Sequence, residues 1–138
     1  MESLLIEGEN GGTIEFLNRV PAEKDHSVEE FWVRITDPSL SALRGISAAS
    51  GSSHPAALFR QMAERWRGWT GELHWESLDD GLCLRASQDR TGHVSILIRL
   101  RQEIGLSSCD WSVETTIVVE AGQLGAIARR AELFFGRP

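Results

Sequence analysis

The sequence has 138 residues, of which 41% are hydrophobic, and this size and composition predict a single domain over residues 1–138 with one core. The net charge is −6, from 14 Lys and Arg against 20 Asp and Glu, which disfavours nucleic-acid binding and favours a cationic partner. No apolar stretch approaches the ~20 residues needed to cross a bilayer, and MESLLIEGEN lacks the basic and apolar regions of a secretory signal. We therefore expect a cytoplasmic protein that binds no membrane.

The first third of the chain has the alternating pattern of β-strands. SLLIEG and TIEFLNRV flank ENGG, whose glycines permit a tight turn, so a hairpin is expected around Gly11–Gly12. In EEFWVRITD, Phe31, Val33 and Ile35 face one way and Trp32 the other. SALRGISAAS is a further, weaker strand.

The apolar period changes in HPAALFRQMAERWRGW, which predicts the first helix after a small, polar loop, SAASGSSHP. The apolar residues that recur at spacings of three and four are Leu58, Phe59, Met62, Ala63 and Trp66. Pro55 suits a first helical turn, and Gly68 suits the left-handed position that ends a helix. Trp66 lies on the apolar face of this predicted helix and is therefore expected in the core.

The rest of the chain predicts an antiparallel meander followed by a second helix. The meander strands are ELHWESL, LCLRASQD, HVSILIRLRQ and WSVETTIVVE, joined by DDG, DRTGH and EIGLSSCD. AGQLGAIARRAELFFG has apolar residues at helical spacing, with Gly136 and Pro138 as stop signals. The expected fold class is α+β: a curved antiparallel sheet of about seven or eight strands covered by two amphipathic helices, one mid-chain and one C-terminal. No internal repeat is visible in the sequence.

Five tryptophans give the chain its most unusual composition. Three of them, Trp66, Trp69 and Trp75, lie in RWRGWTGELHW, where they would fill a corner between helix and sheet or form an aromatic platform for a ligand. We favour the interior corner. Trp32 is different, because it lies opposite core-facing residues and is a candidate interface anchor unless the strand is covered on both faces.

No catalytic or metal-binding motif is present. The sequence lacks H-x-x-x-H, H-E-x-x-H, C-x-x-C and G-x-S-x-G patterns, so it predicts no metal site, no cofactor and no enzyme. Cys83 and Cys109 are expected to be free thiols, although a disulfide stays open if their strands are adjacent. Asp89 and His93 in DRTGH predict a turn-stabilising hydrogen bond, or an acid–base pair that lacks a nearby nucleophile.

Three motifs resemble those of an uncharacterised bacterial family without an established activity. They are G-W-x-G-x-x-x-W-x-S-L, the turn D-x-x-G-H-V, and an acidic start to the last helix. The matching residues are Gly68, Trp69, Gly71, Trp75, Ser77, Leu78, Asp89, Gly92, His93, Val94, Glu120, Gly122 and Leu124. The resemblance covers residues 55–136. By analogy of size and composition, it implies a likeness to small immunity proteins, which neutralise toxins of competing bacteria.

These observations lead to a hypothesis of function. The chain is expected to be a non-catalytic protein-binding module of the immunity type that binds and neutralises a basic toxin domain. The candidate contact residues are Trp32, Glu72, His74 and Glu76, which combine an aromatic anchor with acidic neighbours. The alternative is a small-molecule-binding domain with a cavity lined by tryptophans.

Overall fold

The computed structural model describes residues 2–21, 28–47, 54–102 and 110–136. Within these ranges, four strands and a helix are followed by four more strands and a second helix. The strands are β1 (Ser3–Glu7), β2 (Thr13–Pro21), β3 (Val28–Asp37), β4 (Leu40–Ser47), β5 (Leu73–Glu76), β6 (Leu82–Gln88), β7 (His93–Gln102) and β8 (Trp111–Glu120). The helices are α1 (Ala56–Glu64) and α2 (Leu124–Phe135), the latter preceded by a 3-10 turn, Ala121–Gln123. The predicted α+β class, with antiparallel strands and two helices, is confirmed.

The eight strands are divided equally between two antiparallel sheets. The first has the order β1-β2-β3-β4 and the second β5-β6-β7-β8, so within each sheet every strand pairs with its neighbours in the chain, and β4 does not pair with β5. The hairpin predicted around Gly11–Gly12 joins β1 to β2. Because a helix follows each group of four strands, the chain uses the same order of elements twice, a repeat of topology that the sequence does not show.

Alternation of apolar residues places one face of each sheet in a common core. In β3, Phe31, Val33 and Ile35 are buried, as predicted. In β7, every second residue from Val94 to Leu100 is buried. Both sheets and both helices contribute to one cluster of buried hydrophobic residues.

The helices connect the two halves. Phe135 of α2 packs edge-on against Phe16 and Phe31 of the first sheet, with ring centroids 5.3 and 5.1 Å apart. The helix that follows the second sheet therefore covers the first. In addition, α1 contacts β5. No helix in the described ranges is both long and apolar enough to cross a membrane.

The expectation that Trp66 lies in the core is wrong. Helix α1 ends at Glu64, and the chain then turns through Arg65, whose φ of −112° and ψ of 29° leave the helical region. Trp66 is therefore out of the helical register and 53% exposed. Gly68 was expected to end the helix at a left-handed position, but the helix is capped at Arg65 and Gly68 lies three residues further on, at φ +130°.

Some sequence expectations fall outside the described residues. They concern Cys109, Pro138 and most of the loops SAASGSSHP and EIGLSSCD. Cys83 is a buried free thiol.

Candidate functional site

An apolar surface lies on the outer face of the first sheet. We call it the Trp32 face. Its apolar side chains are Leu5, Leu17, Val20, Trp32 and Leu43. Alternation directs four of them away from the core, whereas Val20 follows a register shift in β2 and is paired with Glu30. Leu17 and Trp32 are directly paired across β2 and β3. Trp32 is 36% exposed, which agrees with its predicted position opposite the core.

The indole of Trp32 lies against the backbone of Gly45, its partner on β4. A Cβ built at residue 45 would be only 3.1 Å from Cε2 of Trp32 and 3.2 Å from Cζ2. The absence of a side chain at Gly45 thus leaves room for the indole to rest on the neighbouring strand. One side of the Trp32 indole is therefore supported by β4, while the side chain stays partly exposed.

The charged groups on the Trp32 face are mainly acidic. Arg34 forms an ion pair with Glu15 on the adjacent strand at 2.9 Å, and Glu7 and Glu30 project from the same side. Three carboxylates therefore accompany one guanidinium. The electrostatic potential of this face is therefore negative.

A second cluster lies on the outer face of the second sheet. His74 and Glu76 are two residues apart on the edge strand β5, so they share a face, and His74 Nε2 is 3.6 Å from Glu76 Oε2. Cys83 on β6 is the register partner of Glu76. Each of the three side chains offers one donor atom, and these atoms lie within 4.8 Å of one another. We call this group the His74 cluster.

The turn between β5 and β6 holds the His74 cluster in place. The buried hydroxyl of Ser77 accepts hydrogen bonds from the main-chain N–H groups of Gly81 (3.1 Å) and Leu82 (3.0 Å). It donates to Asp79 Oδ1 at 2.6 Å. With three hydrogen bonds at one hydroxyl, the register of this hairpin is fixed locally.

Asp79 connects this turn to the first sheet. Its Oδ2 accepts from the main-chain N–H of Ser47 at 3.1 Å and from Arg44 Nη1 at 3.3 Å. Burial alone raises the pKa of the Asp79 carboxyl, but hydrogen bonds, of which that from Ser77 has the largest effect, outweigh burial and lower the pKa below its ordinary value. The carboxylate is therefore stabilised in its charged form.

A turn motif surrounds Asp89 at the other end of the second sheet. Asp89 Oδ1 accepts from the main-chain N–H of His93 at 2.9 Å, and from the N–H and hydroxyl of Thr91, both at 2.8 Å. These bonds, led by that of His93, lower the pKa of Asp89. The predicted turn-stabilising bond is confirmed, and it uses the backbone of His93. The ring of His93 contacts Thr91 Oγ1 through Nδ1 at 2.7 Å and lies 3.7 Å both from Asp89 Oδ2 and from Glu9 Oε2.

Comparison with known proteins identifies the family. The family of unknown function DUF6228 matches the sequence over residues 5–138. The chain belongs to DUF6228. No curated protein matches this DUF6228 chain. Among solved structures, it is similar to the plant transcriptional regulator PBF-2, with 8% identity and a TM-score of 0.47, over 96% of the DUF6228 chain and 78% of the regulator.

The structure separates the contact residues predicted from the sequence. Trp32 lies on the outer face of the first sheet, whereas His74 and Glu76 lie on the outer face of the second, next to exposed Glu72. In this DUF6228 chain they form two surfaces instead of one.

The three neighbouring tryptophans have three different environments. Trp75 is buried in the core, whereas Trp69 is partly buried and donates from Nε1 to the carbonyl of Ala86 at 3.1 Å. Trp66 borders an open cleft of about 460 Å³ beside the turn that holds Asp89. The expectation that these tryptophans fill an interior corner is therefore confirmed for Trp75 and in part for Trp69.

Two features of the site were missed in the sequence. The sequence predicts a free thiol at Cys83 and H-x-E on a strand places His74 and Glu76 on one face, but only the register of the hairpin brings Cys83 opposite them. Gly45 was passed over because its importance depends on pairing with Trp32, which no local pattern reveals.

Proposed function

We propose that this DUF6228 chain is a non-catalytic protein-binding module that holds a cationic protein on the Trp32 face. We further propose that it is of the immunity type and that its partner is a basic toxin domain, whose cationic surface it would cover. The observation that carries the proposal is the collection of exposed apolar side chains on one face of a hydrogen-bonded sheet.

The distribution of exposed hydrophobic residues supports this assignment. Among the described residues, seven large hydrophobic side chains are exposed, and four of them belong to the first sheet. The four are Leu5, Val20, Trp32 and Leu43. Single exposed apolar residues are ordinary on protein surfaces, but a contiguous group is typical of an interaction surface. A tryptophan within such a group is the residue type most often found to dominate binding energy.

Charge supports a cationic partner. The net charge of −6 and the acidic excess of the Trp32 face would accelerate encounter with a basic protein. The Glu15–Arg34 pair is partly exposed, so it would set orientation more than affinity.

The proposal assigns a smaller role to three of the predicted contact residues, Glu72, His74 and Glu76. They lie on the other sheet, so they would contact the same partner only if it extended around the domain. The anchoring role is assigned to Trp32.

The test is binding to the product of the adjacent open reading frame, co-expressed and then measured with purified proteins by calorimetry. Trp32→Ala should raise Kd about 30-fold or more, because loss of a central tryptophan anchor costs at least ~2 kcal/mol. Trp66→Ala is the matched control, since it removes an exposed indole away from the Trp32 face. Its Kd should stay close to that of the wild type. The wild-type association rate should fall as salt is added.

Two results would overturn the proposal. One is the absence of binding between the co-expressed proteins. The other is a loss of affinity in Trp66→Ala as large as in Trp32→Ala, since an anchor on the Trp32 face predicts a clear difference between the two variants.

A further inference from the structure

We propose that His74, Glu76 and Cys83 form a Zn²⁺ site with three protein ligands and an open fourth position. The site lies on the outer face of the second sheet and does not depend on the protein-binding function proposed above.

The donor set has the chemistry that zinc prefers. An imidazole nitrogen, a carboxylate oxygen and a thiolate sulfur are the three side-chain ligand types of Zn²⁺ in proteins. A thiolate among them disfavours Mg²⁺ and Ca²⁺, which select oxygen donors. Three protein ligands leave one tetrahedral position for water or for a donor from another molecule.

The distances suit a tetrahedral ion. With metal–ligand bonds of about 2.0–2.3 Å, the donor atoms of a tetrahedral zinc site lie roughly 3.4–3.6 Å apart. His74 Nε2 and Glu76 Oε2 are 3.6 Å apart, and all three donor atoms lie within 4.8 Å of one another. Small rotations of the half-exposed side chains of His74 and Glu76 would bring the three donor atoms to these distances.

The backbone brings the ligands together before any ion binds. His74 and Glu76 share a face of β5, and Cys83 is paired with Glu76 across the hairpin. The bonds of Ser77 fix the turn that joins the two strands. Ligands held by a rigid element bind a metal with less loss of conformational freedom.

Cys83 differs in position from a thiol that belongs to the hydrophobic core. It is only 4% exposed, yet it lies on the outer face of the sheet, in a row with Glu76, Arg99 and Glu114. Zn²⁺ bound by a thiolate, a carboxylate and a neutral imidazole has no net charge, so arginines on the same face do not repel the complete site.

A second group, Glu9, His93 and Glu120, also brings three donor atoms within 4.8 Å. It contains no thiol, and the carboxylate of Glu120 already accepts a hydrogen bond from the backbone of Gln123. This group fits zinc less well and provides a control.

The test is Co²⁺ titration of the reduced full-length chain, followed by optical absorption. The wild type should develop a thiolate-to-cobalt charge-transfer band in the near ultraviolet and tetrahedral bands in the visible, saturating at one ion per chain. Addition of Zn²⁺ should displace Co²⁺ and remove both the charge-transfer band and the visible bands. Cys83→Ser should abolish the charge-transfer band. His74→Ala and Glu76→Gln should weaken Co²⁺ binding more than about tenfold, since loss of even an outer-shell partner has that effect.

The controls are Cys109→Ser and His93→Ala, which should bind Co²⁺ like the wild type. Absence of a charge-transfer band in the wild type would overturn the proposal, as would a band that survives Cys83→Ser or disappears in Cys109→Ser. His74 and Glu76 are exposed, so the His74→Ala and Glu76→Gln variants should fold. If Cys83→Ser did not fold, their Co²⁺ affinity would decide whether the zinc site exists.

Discussion

At the scale of single residues, His54 lies in an environment that disfavours its charge. Its ring is stacked on Phe135, with centroids 5.2 Å apart and planes at 12°. Its Nδ1 is buried without a hydrogen-bond partner among the described residues. Desolvation therefore lowers the pKa of His54 below its ordinary value of 6.5, and it outweighs a smaller opposing effect of the main chain of His54 itself.

This shift predicts a loss of stability in mild acid. The unfolded chain takes up a proton on His54 near pH 6.5, whereas the folded chain does so only at lower pH, so stability is full above pH 6.5 and falls as the pH drops through that value. His54→Phe keeps the stacking and removes the titration. Its melting temperature should decline less than that of the wild type between pH 7.5 and pH 5. Leu133→Ala, an exposed control without a titratable side chain, should decline like the wild type; equal slopes for all three proteins would contradict the prediction.

The tryptophans show how far single residues can be predicted from sequence. Trp32 and Trp75 follow strand alternation, a local period of two: the buried position of Trp75 is confirmed, and Trp32 lies opposite the core as predicted, although the sequence left open whether that face is covered. Trp66 was misplaced because helical periodicity continues in the sequence after the helix itself ends at Glu64. The Arg-rich segment there is equally compatible with a turn, and an apolar period alone does not locate a C-terminus.

At the scale of elements, the β5–β6 hairpin is held by one hydroxyl. Ser77→Ala would leave the buried main-chain N–H of Leu82 without its acceptor, whereas the N–H of Gly81 keeps Asp79 Oδ1 at 3.0 Å. The free energy of unfolding should therefore fall by about 1–3 kcal/mol, the usual cost of an unsatisfied buried polar group. Urea denaturation would measure it. Ser112→Ala, on an exposed position of β8, is the control, and similar losses in both variants would show that the Ser77 hydroxyl is not needed.

The sequence predicts the individual strands and helices better than it predicts how they pack together. Turn residues such as Asp79 and Gly81 indicated where hairpins lie, and alternation indicated which face is buried. The division of eight strands into two sheets was not predicted, because it depends on β4 and β5 not pairing across α1. Whether β4 and β5 pair is decided by packing between residues that are distant in the sequence, and no local sequence pattern indicates it. The His74 cluster was missed for a related reason, since its third member belongs to a different strand.

At the scale of the whole molecule, the helices make the two halves depend on one another. Each half has its own sheet, but α2 covers the first sheet through Phe135, which contacts Phe16 and Phe31. The chain is therefore expected to unfold as one unit in spite of its repeated topology.

Phe135→Ala tests this dependence. Removing a buried phenylalanine should lower the free energy of unfolding by about 3–5 kcal/mol, and circular dichroism and tryptophan fluorescence should report the same transition. Leu133→Ala on the same helix removes a side chain that is 66% exposed, and it should change stability by no more than about 0.5 kcal/mol. Separate transitions for the two probes would show that the halves unfold independently.

Gly45 limits how the Trp32 face can change during evolution. Any larger residue there would meet the indole and push it outward, altering the surface that a partner recognises. A substitution at position 45 would therefore change the position of the indole at residue 32, even if residue 45 itself made no contact with a partner.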